Sequence, residues 1–197
     1  SSNVAAFKEF CKGADFVCGH NIVAFDMQYL RPVLGDGPQA VDTLPLSALL
    51  FPRKRFHNLL KDEKLLTDEL NNPLSDARKA MALFEEEVAA FNELPGVLQR
   101  LFCAMLKNRP EFAGFFRCLN VQTPTFADPA GVIKRLMADK LCIHADLDGL
   151  AKRQPAELAY ALAFIRAAEP ADVIPPWVNT NYPATQSVLN ALRYTPC

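Results

Sequence analysis

The sequence predicts an α/β fold, a short unit of strands and intervening helices followed by a mostly helical region. Two observations carry this. Within residues 1–94, two apolar runs of strand length, ADFVCG and AVDTL, are each bounded by turn-forming residues and alternate with helix-length segments. After Pro95 the texture changes to amphipathic stretches separated by prolines and short polar turns, with no further strand pattern. The boundary falls near Leu94–Gly96, giving one unit over residues 1–94 and a helical extension or linker region over 95–197.

Taken in order, Asn3 is a candidate cap for a first helix, VAAFKEFCK. Its Val4, Phe7 and Phe10 recur at helical spacing, and Gly13 supplies the stop. The strand ADFVCG follows. A helix through Ala24–Leu30 is expected to end at Pro32, because proline disfavours helical backbone in the residue before it. LGDGPQ reads as a turn, AVDTL as the second strand, and LPLSALLF as a helix broken at Pro52. RKRF (Arg53–Phe56) is a small basic loop, and HNLLKDEKL an amphipathic helix with Leu59, Leu60 and Leu65 inward.

The strongest helical pattern is LNNPLSDARKAMALFEEEVAAFNEL. Asn72 can cap it and Pro73 suits its first position. Ala77, Ala80, Met81, Phe84, Val88, Phe91 and Leu94 form one apolar stripe, which leaves Glu85, Glu86 and Glu87 on the wet face. Beyond it, VLQRLFCAMLKN, EFAGFFRCLN, PAGVIKRLMADKL and PAELAYALAFIRAA read as amphipathic helices. VIPPWVNTNYPATQ reads as extended and SVLNALRYT as a terminal helix.

Composition bounds the function classes. Half the residues are hydrophobic and 22% are charged, which excludes a disordered chain or a fibrous rod. No apolar run reaches the roughly 18–20 residues needed to span a bilayer, so no membrane partner is expected. The N-terminal SSNVAAFKEFCKG shows no secretory pattern and no initiating Met, which points to a piece of a longer polypeptide. The six cysteines include no C-x-x-C pair, so neither a zinc site nor a disulfide framework is indicated; reduced thiols in the cytoplasm are expected. Residues 1–94 carry ten basic and fourteen acidic side chains, a net of −4, whereas residues 95–197 carry eleven and eight, a net of +3. An acidic half that holds metal and a basic half that tracks phosphate would suit a nuclease.

The chemistry-bearing stretch is GHNIVAFDMQYL, which starts at Gly19 at the end of the first predicted strand. Asp26 sits in the first turn of the helix that follows. A carboxylate there can hold a divalent ion at the edge of a sheet, where open α/β folds gather their ligands. Asn21 is placed to fix the backbone or to contact a nucleotide. Fifty residues later Asp76 opens another helix. Two carboxylates on helix starts make half of a two-metal phosphodiesterase site, in which metals about 4 Å apart orient a water and stabilise the leaving oxygen.

GHNIVAFDMQYL resembles the second motif of the DEDD-type 3′–5′ exonucleases, H-N-x-x-F-D-x-x-x-L, with one extra residue before the Phe. VDTLPLSALLFPRKRFHNLLKDEKL is similar to the connecting segment of bacterial polymerase proofreading subunits. LNNPLSDARKAMALF lies where that family has H-x-A-x-x-D-A, its third motif. The three segments keep the family's order and spacing across residues 18–94. The resemblance implies the C-terminal portion of a ribonuclease H-like exonuclease fold, Mg²⁺ or Mn²⁺ as cofactor, and stepwise hydrolysis from a 3′ end. It implies Asp26 and Asp76 as catalytic and metal-binding acids, and His20, Asn21 and Phe25 as substrate-binding residues. Asp42 takes a structural position. The run from Phe56 to Phe84, with the helices and PPWVNTNYP beyond it, further resembles bacterial RecQ-like helicases that carry an exonuclease-type domain at their N-terminus. That implies DNA as partner and a helicase domain in the same polypeptide. No G-x-x-x-x-G-K-[ST] loop occurs here, so the helicase's ATPase would lie elsewhere.

Two departures bear on activity. The family's first motif, a strand carrying D-x-E, is expected ahead of Asp26, yet the acids there are Glu9 and Asp15, outside any D-x-E. The family's general base, a His five residues or a Tyr four residues before the last Asp, falls on Asn71 and Asn72, and asparagine cannot take a proton from water near neutral pH. This stretch alone is therefore expected to be inert. Two readings stay open: an exonuclease completed by residues outside this stretch, or a catalytically inactive exonuclease-fold module for nucleic-acid binding or docking. Other features carry both a sharp and a bland reading. His57 could replace the missing base or serve a local structural role. Phe56 in RKRF could stack on a base, Trp177 could stack or anchor its segment, and His144 with Asp146 and Asp148 reads as a solvated loop.

Overall fold

The computed structural model describes residues 2–59, 73–122, 126, 128–137, 140–169 and 172–194. The later part of the HNLLKDEKL segment, the proposed Asn72 cap and the base positions Asn71 and Asn72 lie outside the described residues. The first half holds α1 (Ser2–Phe10), β1 (Phe16–Gly19), α2 (Met27–Leu34), β2 (Gln39–Asp42), α3 (Thr43–Leu50) and α4 (Pro73–Asn92). The second half is helical: α5 (Gly96–Leu106), α6 (Pro110–Cys118), α7 (Pro129–Met137), α8 (Leu147–Arg153), α9 (Pro155–Ala167), α10 (Pro176–Asn181) and α11 (Thr185–Tyr194). The chain is thus a mixed α/β fold, mostly helical, around one small parallel sheet among the described residues. None of its described helices is long and apolar enough to cross a membrane.

The two strands run parallel, with Phe16 opposite Gln39 and Gly19 opposite Asp42. Parallel strands need a crossover, and α2 lies on it. Backbone alternation then decides what each edge meets. The Gln39 N–H donates to Asp15 O at 2.9 Å, so Ala40 turns its own N–H and C=O away from β1. There α6 closes the edge: Gly114 sits so near the Ala40 carbonyl that a Cβ would have no room. The opposite edge of β1 pairs with no strand among the described residues.

The apolar core runs continuously from Val41 to Leu192 and includes Leu46, Phe91, Phe102, Phe112, Phe115 and Leu162. At its centre, α9 buries Ala156 and residues 158–165, so it is enclosed on nearly every side where the sequence predicts an amphipathic helix. It meets α3, and the Tyr160 hydroxyl donates to Pro45 O at 3.0 Å. Edge-to-face contacts among Phe84, Phe91, Phe115 and Phe116 join α4 to α6.

Several local expectations are corrected. The first helix begins at Ser2, so Asn3 lies inside it rather than capping it. Val4, Phe7 and Phe10 are exposed, Phe10 at 86%, because α1 packs against α2 and outside the main core. The helix expected to stop before Pro32 runs from Met27 to Leu34 with Pro32 inside. Pro32 cannot donate to Gln28 O four residues back, and the helix ends soon after, where Gly35, at φ 72°, closes it by donating to Arg31 O. VIPPW, read as extended, opens the short α10, whose first residue is Pro176; proline presets the backbone angle a first turn needs. On α4 the buried stripe is Ala80, Glu87 and Phe91, while Ala77 and Met81 face solvent.

Candidate functional site

The carboxyl ends of β1 and β2 lead directly into the residues singled out above. After Gly19 the chain turns through 20–26 and enters α2 at Asp26. Asn21 sits at φ 63°, a left-handed conformation that asparagine tolerates better than most residues. That conformation aims its backbone N–H at the side chain of Asp42. The Asp42 carboxylate is buried and accepts from Asn21 N at 2.8 Å, Val23 N at 3.0 Å and Leu44 N at 3.1 Å. One side chain therefore clasps the turn after β1 and caps the helix after β2. Asp42→Ala would strand these amides away from water. We expect a loss of about 3 kcal/mol, at the upper end for a lost cap, read as a lower urea midpoint.

Asp26 stands at the N-terminal boundary of α2 with its carboxylate exposed and making no capping hydrogen bond. The next turn is closed instead by Gln28 Nε2 donating to Phe25 O at 2.9 Å. Phe25 itself is 62% exposed. Asp76 lies in the first turn of α4 and is also exposed. It precedes the buried Glu87 by eleven residues, three turns plus about 20° at 3.6 residues per turn, so it projects from the same face of α4. That face packs on α3 and β1 further along. Asp76 is thus the overhanging end of an inward-facing stripe.

His20 is turned inward. Its Nδ1 lies 2.9 Å from Thr43 Oγ1, and its Nε2 is buried without a hydrogen-bond partner. His57 has the same character: buried, with Nδ1 2.9 Å from Ser47 Oγ and Nε2 unpartnered. Burial pushes both imidazoles down to about 4, so both are neutral at physiological pH.

The sequence places Glu87 on the wet face of α4, whereas the structure buries it at 0% exposure. Neither of its carboxyl oxygens has a hydrogen-bond partner. Burial first, and the nearby Asp42 carboxylate second, push its pKa up to about 10. Asp42 is also raised by burial, against the pull of its three amide donors. The two carboxyls differ in their surroundings: Asp42 has three amide donors to stabilise a charge, and Glu87, without donors, holds a proton. A signal for this was present in the sequence, because position 87 is seven residues after Ala80 and four before Phe91, on one helical face.

The remaining candidates have local roles. Asp146 caps α8 by accepting from Gly149 N at 2.9 Å and pairs with Arg153 at 3.0 Å, while His144 is exposed beside it. Trp177 packs on Tyr182 with ring centroids 5.9 Å apart. Arg53 is tied across the molecule to Asp172 at 3.0 Å and Glu169 at 3.6 Å. Glu85 and Glu86 are solvated.

No group of three potential metal ligands comes together among the described residues. Asp26 and Asp76 alone do not make a divalent-cation cage, which takes six or more oxygens. Comparison with protein-family models, curated proteins and solved structures found no match to this chain.

Proposed function

We propose that residues 18–94 are the carboxylate-bearing part of a DEDD-type 3′–5′ exonuclease domain with a ribonuclease H-like fold, within a DNA-processing polypeptide that also carries a RecQ-like helicase. The single observation that carries this reading is the placement of two aspartates around a parallel strand pair. Asp26 follows β1 with its side chain unspent on capping, and Asp76 overhangs the inward face of the helix that packs on β1. A D-x-E strand supplied from outside these residues would pair along the edge of β1 that meets no strand among the described residues, and would add the acids that a Mg²⁺ or Mn²⁺ site needs. In the same reading Asn21 and Phe25, on the turn into Asp26, meet the terminal nucleotide. His20, turned inward on Thr43, holds the end of β1.

The test is trimming of 3′-labelled DNA by the full-length polypeptide that contains this segment. Asp76→Asn is expected to lower Mg²⁺-dependent release of nucleotides by a hundredfold or more, on the order of the 3 kcal/mol at stake when an electrostatic group is removed from a reacting site. Undiminished trimming would sink the role assigned to Asp76.

A second reading is favoured by Asn71 and Asn72, which stand where the family keeps its base. In it the module has lost catalysis and serves to bind or dock nucleic acid. The same assay separates the two, because an inactive module shows no trimming before substitution yet retains DNA.

A further inference from the structure

A cleft of about 230 Å³ runs along the edge of β2 that α6 closes, with α2 as its other wall. That is below the roughly 300 Å³ at which drug-sized ligands begin, so its occupant is small. One wall carries Val23, Met27 and Arg31 at four-residue spacing, and the other carries Ala113, Gly114 and Arg117. Glu111, in the first turn of α6, lies near enough to Asp42 to raise its pKa, and Gly114 sits on Ala40. The helix therefore runs antiparallel to β2 and brings Arg117 to the Gln39 end. There α2 finishes with Arg31 in its last turn, and the chain turns through Asp36 into the strand. Three charged side chains thus gather at one end of the cleft. Arg31, Asp36 and Arg117 are exposed, and none makes an ion pair or a side-chain hydrogen bond among the described residues. The carbonyl end of α2 adds partial negative charge beside Asp36. The rest of the lining is apolar: Met27 is buried, and Val23 and Ala113 are half-buried beside it.

We infer that this cleft seats an apolar α-amino acid, with its carboxylate between Arg31 and Arg117, its ammonium on Asp36 and its side chain along Met27. Charge complementarity decides among small ligands. An α-amino acid carries a negative and a positive group on one carbon and an apolar group pointing away, which is the pattern of this lining. The guanidinium fork matches a carboxylate in shape as well as charge. Asp36 and the carbonyl end of α2 both favour a cation. A phosphate would use the arginines but be repelled by Asp36 and by that helix end. A charged side chain would be left without a partner on the apolar floor. The charged end lies at the opposite end of β2 from Asp42, so this reading is independent of the exonuclease one.

The test is calorimetric titration of L-leucine into the 197-residue chain, with the thermal midpoint recorded alongside. Saturable binding is expected, together with a midpoint that rises with leucine concentration. Arg117→Gln and Asp36→Asn should each weaken binding about tenfold, the scale of one charge-assisted hydrogen bond. Both side chains are exposed, so unchanged midpoints without ligand separate lost binding from lost folding. Capped ligands then identify the groups. N-acetyl-leucine, which lacks the ammonium, should bind more weakly, and Asp36→Asn should weaken it no further. Leucinamide, which lacks the carboxylate, should stand in the same relation to Arg117→Gln. The inference is overturned if no leucine binds at about 10 mM, beyond the millimolar range of weak small ligands. It is equally overturned if Asp36→Asn binds leucine within twofold of wild type, if N-acetyl-leucine binds as well as leucine, or if inorganic phosphate binds more tightly.

Discussion

Glu87→Gln should make the protein more stable, and increasingly so as the pH rises. The carboxyl of Glu87 is fully buried, without a hydrogen-bond partner, and retains its proton up to about pH 10. In the unfolded chain the same group ionises near its ordinary value of 4.5. Between those values the native state binds a proton that the unfolded state does not, so stability falls as the pH rises, by about 1.4 kcal/mol per unit. By neutral pH the accumulated cost is about 3 kcal/mol, which glutamine, of the same shape and without a charge to suppress, does not incur. The two buried histidines tilt the acid side the other way. Their folded values of about 4 lie below the ordinary 6.5, so the stability they carry is lost as the pH falls below 6.5. Wild-type stability should therefore peak near pH 6.5. Glu87→Gln should keep the acid limb and flatten the alkaline one. Urea midpoints at about pH 5.5 and about pH 8 decide it, and equal midpoints for variant and wild type at the higher pH would show that Glu87 ionises in place.

Gly114→Ala should be the most damaging single methyl group in the molecule. A Cβ at that position would fall inside the Ala40 carbonyl oxygen, 2.7 Å from its carbon and 3.3 Å from Val41 N, all of them backbone atoms in a strand. No side-chain rotation relieves this. Either α6 lifts off β2 or the strand bends, and both disturb a core that includes Phe112 and Phe115. Overpacking of this kind costs about 3 kcal/mol or more, enough to unfold a marginal domain. Gly96→Ala is the matched control. Its Cβ would meet only the tip of Arg100, 3.4 Å away, so its midpoint should stay within about 0.5 kcal/mol of wild type. Equal behaviour of the two variants would mean that α6 does not sit on β2 as described.

The elements that the sequence disclosed were those with strong local causes. The strand runs at Phe16 and Gln39, the helix from Pro73 and the succession of helices after Pro95 each follow from periodicity and from residues that stop a helix. What stayed hidden was decided by neighbours distant in sequence. The same alternation of apolar and polar residues that marks α1 as amphipathic cannot say that its Phe10 has nothing to pack on. PAELAYALAFIRAA looks one-sided until α3, α5 and α11 surround it. Glu87 is a charged letter in a triplet of charged letters, and only the seven-residue spacing from Ala80 separates it from Glu85 and Glu86. For the site, Asp26 and Asp76 stood out by their motif spacing, and both are exposed at the starts of their helices. The clasp by Asp42 did not, because its acceptor geometry depends on the strand register that sets Gly19 opposite Asp42.

That clasp also sets how the region moves. The amides of Asn21 and Val23 are anchored on a carboxylate that belongs to the other strand, and the same carboxylate caps α3. The loop carrying Asp26 is therefore no independent hinge. It opens only in the same cooperative event that separates β1 from β2, and its amides exchange with solvent on that slow timescale rather than on a loop's.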